Sequence, residues 1–207
     1  MNKIYIIGVG PGTEDYLLPI ARKQIENSDC LISSGRILAM LKYCKKEEFV
    51  LDEHFDEVIP YIQAHKDEKK LAVLVSGDAG LYSLLEKLSK EFKKEEYEVI
   101  PGISTLQIAF SKIGESWQDA KIISLHGRPV NNLSEEIKAH PKVFLFTDAA
   151  FPPQEIAEYL LKEAVENRRA VVLENLTYLN ERIIDTDLVN LSKMRGFGLC
   201  VMIIRRF

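Results

Sequence analysis

Apolar residues come in short runs separated by polar stretches with helical spacing, and the alternation begins at once. Residues 3–8 form an apolar run that stops at glycine, as a strand buried in a parallel sheet does. Thr13 is placed to cap a helix that carries Tyr16, Leu17, Ile20, Ala21 and Ile25 at spacings of three and four. Residues 30–33 read as a second strand, 34–43 as a helix, and 48–51 as a third strand. Residues 56–65 then read as a helix, with Pro60 near its first turn, where proline is tolerated. The clearest strand is 71–76, Leu-Ala-Val-Leu-Val-Ser, ending at Gly77-Asp78-Ala79-Gly80. A helix is expected from about Leu81, with Leu84, Leu85 and Leu88 on one face. Residues 97–100 form a strand cut off by Pro101-Gly102, and Ser104 is placed to cap a helix ending near Gly114.

The segment 115–120 holds the single tryptophan, Trp117, and reads as a joint. Beyond it the pattern restarts, with strands expected at 121–126, 142–146, 169–173, 182–184 and 199–205 and helices at 133–139, 152–167 and 187–193. The last strand is apolar almost throughout, which predicts a central place in its sheet. The fold class is α/β: two tandem α/β domains, 1–117 and 118–207, with ligands expected beyond strand ends or in a cleft between the domains. Four strand-end loops are the places to look: 8–13, 77–82, 101–105 and 126–128.

Composition narrows the function classes. The 207 residues suffice for two compact domains, and 46% hydrophobic with 28% charged residues is ordinary for a globular protein. A net charge of −4 argues against a nucleic-acid partner. It leaves room for an acidic small substrate, because a few local arginines outweigh the global sign. Cys30, Cys44 and Cys200 are odd in number, far apart and without metal-ligand spacing, which predicts reduced, buried thiols and no metal site. The opening apolar run is too short for a signal-peptide core, and no stretch approaches the roughly 18 apolar residues of a membrane span. A cytoplasmic protein with no membrane partner is expected.

Each loop has both a structural and a chemical reading. Gly8-Val-Gly-Pro-Gly12 follows a strand, where glycines let backbone approach a ligand. It departs from a dinucleotide fingerprint: Thr13 stands at the last glycine position, Pro11 removes an N–H that a phosphate needs, and Glu26 and Asp29 precede the second strand. A nicotinamide-dependent oxidoreductase is therefore the disfavoured alternative of a different class. Asp78 in Ser76-Gly-Asp-Ala-Gly-Leu-Tyr82 either caps the next helix or offers acceptors to a cation. Pro101-Gly-Ile-Ser-Thr105 is a turn with hydroxyls. In Leu125-His-Gly-Arg128, His126 sits at a strand end, and Arg128 is suited to clamp a carboxylate. No nucleophile–histidine–acid set and no paired carboxylates stand out. An in-line group transfer to a good nucleophile fits that absence, because it needs positioning and exclusion of water more than acid or base.

The order and spacing of the loops carry more than any one of them. Ile-Gly-Val-Gly-Pro-Gly, Ser-Gly-Asp-x-Gly-x-Tyr and Pro-Gly-Ile-Ser-Thr-Leu-Gln together resemble the tetrapyrrole methylase family. The likeness continues through Trp117-Gln-Asp-Ala, Ser124-Leu-His-Gly-Arg128, Glu174-Asn-Leu-Thr-Tyr178 and Glu181-Arg-Ile, pieces similar to members acting on a late corrin precursor. The resemblance implies a homodimeric methyltransferase that uses S-adenosylmethionine to methylate a ring carbon of a corrin-ring substrate. It leaves open another ring position or substrate within the family, and a functional partner, a methylase or decarboxylase of the same pathway. Carried over by motif, Pro11 borders the methyl-transfer site, and Gly77, Asp78 and Leu81 contact the cofactor. Ser104 and Thr105 line its other side, and Thr147 with Glu174, Asn175, Leu176 and Thr177 closes over it. Gly10, Arg36, His126 and Arg128 face the substrate, and a side chain at Gly10 is expected to block the ring more than the cofactor. The chain departs from the family pattern at Ala79 and Leu179, where proline is frequent.

Overall fold

A computed structural model describes residues 2–52, 54–125 and 132–207. Its first half is a five-stranded, wholly parallel sheet: β1 (Ile4–Gly8), β2 (Cys30–Ser33), β3 (Glu47–Val50), β4 (Leu71–Val75) and β5 (Tyr97–Ile100), in the order β3-β2-β4-β1-β5. Side chains alternate across a strand, so each face gathers its own core. Ile4, Ile6, Ile32 and Val73 pack under α3 (Val58–His65) and α4 (Leu85–Glu91), through Val58, Ile62 and Leu88. Ile7, Leu31, Ala72 and Leu74 pack under α1 (Pro19–Glu26) and α2 (Gly35–Met40), through Ala21, Ile25, Ile37 and Leu38.

In the first half three helices depart from expectation. Thr13 does not cap α1; a 3-10 turn at Glu14–Tyr16 intervenes, and the helix begins at Pro19, whose fixed φ suits a first helical position. The helix expected from Leu81 starts at Leu85, because Tyr82 adopts a left-handed φ of +50°. The helix after β2 stops at Met40, short of Tyr43.

The second half holds α5 (Thr105–Ile113), β6 (Lys121–Ser124), α6 (Leu133–Ala139), β7 (Lys142–Phe146), α7 (Pro153–Lys162), β8 (Arg169–Glu174), β9 (Arg182–Asp187), α8 (Leu188–Leu191) and β10 (Cys200–Arg205). Its sheet runs β6-β7-β10-β8-β9; β6 and β7 are parallel, the other pairs antiparallel. The apolar last strand is central, as its composition predicts. Helices α6, α7 and α8 cover one face through Ile137, Ile156, Leu160 and Leu188. Phe110 of α5 lies on the other, 6.1 Å from Phe144 between ring centroids. Asp187 caps α8, its Oδ1 accepting the Asn190 N–H at 2.9 Å.

The chain divides into two compact units, Met1–Ser104 and Thr105–Phe207. This division falls at the start of α5, whereas the sequence pattern places the joint after residue 117. Residues 115–120 are tied to the second sheet: Lys142 donates to the Ser116 carbonyl at 2.9 Å and to Asp119 at 3.0 Å, and Glu115 pairs with Arg205. All three cysteines are free; Cys30 and Cys200 are buried, whereas Cys44, expected to be buried, is only partly so. Among the described residues no helix is long and apolar enough to cross a membrane.

Candidate functional site

In the first unit the carboxyl ends of β2, β4, β1 and β5 share one edge, because the strands are parallel and adjacent. The turns after β1 and β4 are bonded to each other. The Gly10 N–H donates to the Gly77 carbonyl at 3.2 Å, and the Gly77 N–H returns a bond to the Gly10 carbonyl at 3.0 Å. Both glycines have left-handed φ, +78° and +71°. Gly8 and Gly102 approach closer still: a Cβ on Gly8 would lie 2.6 Å from the Gly102 nitrogen, and one on Gly102 would lie 2.6 Å from the Gly8 carbonyl carbon. Three strand-end turns therefore meet backbone to backbone.

Asp78 fastens two of them. Its Oδ1 accepts the Gly80 N–H at 2.8 Å and its Oδ2 accepts the Gly102 N–H at 3.0 Å. The carboxylate thus joins the turn after β4 to the turn after β5 and does not cap α4. Leu81 is half-buried, its N–H donating to the Asp78 carbonyl at 3.3 Å. Pro11 and Ser104 are buried, and Thr105 is the half-buried first residue of α5. Arg36, exposed at the start of α2, reaches the same edge, its Nη2 3.4 Å from Ser76 Oγ. A Cβ at Gly10 would meet the Tyr16 carbonyl oxygen at 2.8 Å. A larger residue would strain its own loop before it obstructed a ligand.

In the second unit, β7 and β8 end beside the start of the antiparallel β10. Thr147 Oγ1 donates to the Cys200 carbonyl at 2.6 Å. Burial pushes the Cys200 thiol up, against the opposing bond from Thr147. Glu174 is buried, and both its oxygens are engaged: Oε2 accepts from Arg182 Nε at 2.7 Å and Oε1 from the Gly198 N–H at 2.5 Å. This carboxylate binds the edge together, holding β9 and the approach to β10.

Past Glu174 the backbone becomes unusual. Asn175 has φ +48° and Thr177 has φ +73°. Asparagine tolerates that region; a β-branched threonine does so only where its surroundings hold it. The Asn175 N–H donates to the Leu199 carbonyl at 2.8 Å, and Leu176 is buried. The Thr177 N–H donates to Glu181 Oε2 at 2.7 Å, while Glu181 Oε1 accepts from Lys112 Nζ at 2.6 Å. Burial pushes the Glu181 carboxyl up, but the Lys112 and Thr177 bonds outweigh it and hold the group below the usual carboxylate value.

The expected residues thus gather at two sheet edges. Gly10, Pro11, Arg36, Gly77, Asp78, Leu81 and Ser104 belong to the first, and Thr147 with Glu174, Asn175, Leu176 and Thr177 to the second. His126 and Arg128 lie outside the described residues; they follow Leu125, whose N–H donates to the Phe146 carbonyl at 2.9 Å, next to Thr147 in sequence. Sequence reasoning passed over Gly8 and Gly102, although both stand in the loops it chose. It assigned no role to Glu181 and Lys112, which are 69 residues apart and leave no local signal. A groove of about 440 Å³ along α7, lined by Phe151, Tyr159 and Arg195 among others, includes none of the expected residues.

Residues 3–192 match the family model described as Tetrapyrrole (Corrin/Porphyrin) Methylases. Over 186 residues, 87% of both chains, the sequence is 37% identical to the probable cobalt-precorrin-7 C(5)-methyltransferase of Methanocaldococcus jannaschii. It is 34% identical to the cobalt-precorrin-7 C(5)-methyltransferase of Salmonella typhimurium over 178 residues, 86% of this chain and 87% of that one. The fold is shared with the uroporphyrin-III C-methyltransferase of Thermus thermophilus, solved with S-adenosyl homocysteine, at a TM-score of 0.79 and 16% identity over 99% of this chain and 92% of that one.

Proposed function

Since the chain belongs to the tetrapyrrole methylase family, whose members use S-adenosylmethionine, we propose that it methylates carbon 5 of cobalt-precorrin-7 in cobalamin biosynthesis. The observation that carries the substrate assignment is the likeness, over most of both chains, to two relatives bearing that name. A cytoplasmic homodimer belongs to the same proposal.

The residues present suit such a donor. S-adenosylmethionine supplies a methyl group made electrophilic by a positively charged sulfur. At the first edge Pro11 withholds an N–H and Asp78 adds a carboxylate. Both features oppose a diphosphate cradle and favour a cation. Gly8 and Gly102 let the turns after β1 and β5 meet backbone to backbone, where neither position has room for a Cβ. Ser104 and Thr105, with the second-edge residues Thr147 and Asn175–Thr177, contribute hydroxyl and backbone contacts to the cofactor. Arg36, with His126 and Arg128, orients the ring's peripheral carboxylates by charge-assisted hydrogen bonds. Carbon 5 would take the methyl as its bond to sulfur breaks, S-adenosylhomocysteine leaves, and the ring's surplus proton passes to bulk water after the transfer; positioning and exclusion of water lower the barrier to the transfer itself.

Calorimetry separates the classes: S-adenosylhomocysteine binds and NAD(H) does not. Incubation with methyl-labelled cofactor and cobalt-precorrin-7, followed by NMR, should place the label on carbon 5. Label on another ring carbon would move the assignment within the family, and absence of any transfer to late corrin precursors would end it.

A further inference from the structure

The left-handed turn at 175–177 needs a support that the functional reading leaves unexplained. Thr177, φ +73°, is β-branched and disfavours that conformation. Such a residue persists only where the surrounding structure fixes it. Its N–H donates to Glu181 Oε2 at 2.7 Å, and Glu181 Oε1 in turn accepts from Lys112 Nζ of α5 at 2.6 Å. The Glu181 side chain is 20% exposed, so the contact is shielded more than a surface pair. Leu176, 6% exposed, anchors the turn from below without defining its backbone.

We propose that Glu181 is a positioning residue for the cofactor, acting with Lys112 as a clamp that holds Thr177 left-handed so that residues 175–177 present a preformed surface. The inference rests on the proposed contact between that turn and S-adenosylmethionine. Glu181 itself touches neither cofactor nor substrate. Without the carboxylate, Thr177 relaxes to negative φ, the turn reshapes, and cofactor binding must restore the strained form. The clamp therefore favours binding in ground state and transition state alike, and its loss raises KM for the methyl donor and leaves kcat nearly unchanged.

Two measurements test it. Amide exchange of the wild-type protein with and without S-adenosylhomocysteine should show protection of Thr177 and Tyr178; ligand binding without that protection overturns the placement of the cofactor at this turn, and the clamp with it. Where protection is seen, calorimetry on variants reads the clamp alone. Glu181→Ala should weaken S-adenosylhomocysteine about tenfold. Glu181→Gln, which keeps an acceptor for Thr177 but loses the charge toward Lys112, should fall between. Glu181→Ala should cost severalfold less in binding when made in a Thr177→Gly background than in the wild type, because glycine takes φ +73° unaided, and Thr177→Gly alone accounts for the lost hydroxyl. A merely structural carboxylate would not give that rescue. If Glu181→Ala does not fold, Glu181→Gln and Lys112→Met carry the test, each with severalfold weaker binding. Variants that bind like the wild type, or a Glu181→Ala cost as large in the Thr177→Gly background as in the wild type, overturn the proposal.

Discussion

The two sheet edges reach similar ends with different emphasis, although each uses a carboxylate: Asp78 at the first bonds the Gly80 and Gly102 amides. In the first unit, three turns meet through glycine backbone, and the contact between Gly8 and Gly102 leaves no room for a Cβ. In the second, left-handed backbone falls on Asn175 and Thr177, and carboxylates do the holding: Glu174 fixes Gly198 and Arg182, and Glu181 fixes Thr177 and Lys112. A glycine edge is set by sterics, which change abruptly with one methyl group. A carboxylate edge is set by hydrogen bonds and charge, which weaken by degrees and respond to protons.

The sharpest way to break this contrast is Gly102→Ala. The added Cβ would lie within the Gly77 carbonyl's contact distance and 2.6 Å from the Gly8 carbonyl carbon, both backbone atoms with nowhere to retreat. A loss of about 3 kcal/mol is expected, at the upper end of the range for overpacking. Urea denaturation should show it as a lower midpoint with an unchanged slope. A variant as stable as the wild type would mean that the turns are loosely held.

Glu174→Ala comes next. It leaves the Gly198 N–H and the Arg182 guanidinium without their acceptor, though half-exposed Arg182 can turn to water. A loss of about 2 kcal/mol is expected from the orphaned amide and broken ion pair, again read by urea denaturation. A larger effect here than at Gly102 would reverse the ranking of the two edges.

The same contrast explains what the sequence reveals. Gly10, Gly77 and Gly102 announce their turns because left-handed φ and close approach restrict the residue type. Thr177 announces no left-handed turn, because threonine disfavours that φ and the glutamate that makes it tolerable is recognisable only once the turn has formed. Tyr82 hides the late start of α4 in the same way. Thr13 looked like a cap, but Pro19 sets where α1 begins. The central place of β10 follows from its unbroken apolar run, whereas its antiparallel direction does not, since burial period carries no sense of chain direction.

Acid should separate the edges with the smallest of these effects. Burial raises the Glu181 carboxyl, and the bonds from Lys112 and Thr177 more than reverse that, so its folded pKa is depressed. A depressed carboxyl contributes stability that is complete above its unfolded value, about 4.3 for glutamate, and is lost as pH falls through the lower folded value. Protonation weakens the attraction to Lys112 and the acceptor for Thr177. The Gly10 and Gly77 amides bond to each other's carbonyls, which do not titrate. Amide protection factors measured on stepwise acidification below about pH 4.3 should therefore fall at Thr177 before they fall at Gly10 and Gly77. Glu181→Gln should abolish that early step, because an amide does not titrate. Simultaneous loss at both edges in the wild type would show that they open as one cooperative unit, and that the division between steric and electrostatic support has no separate thermodynamic expression.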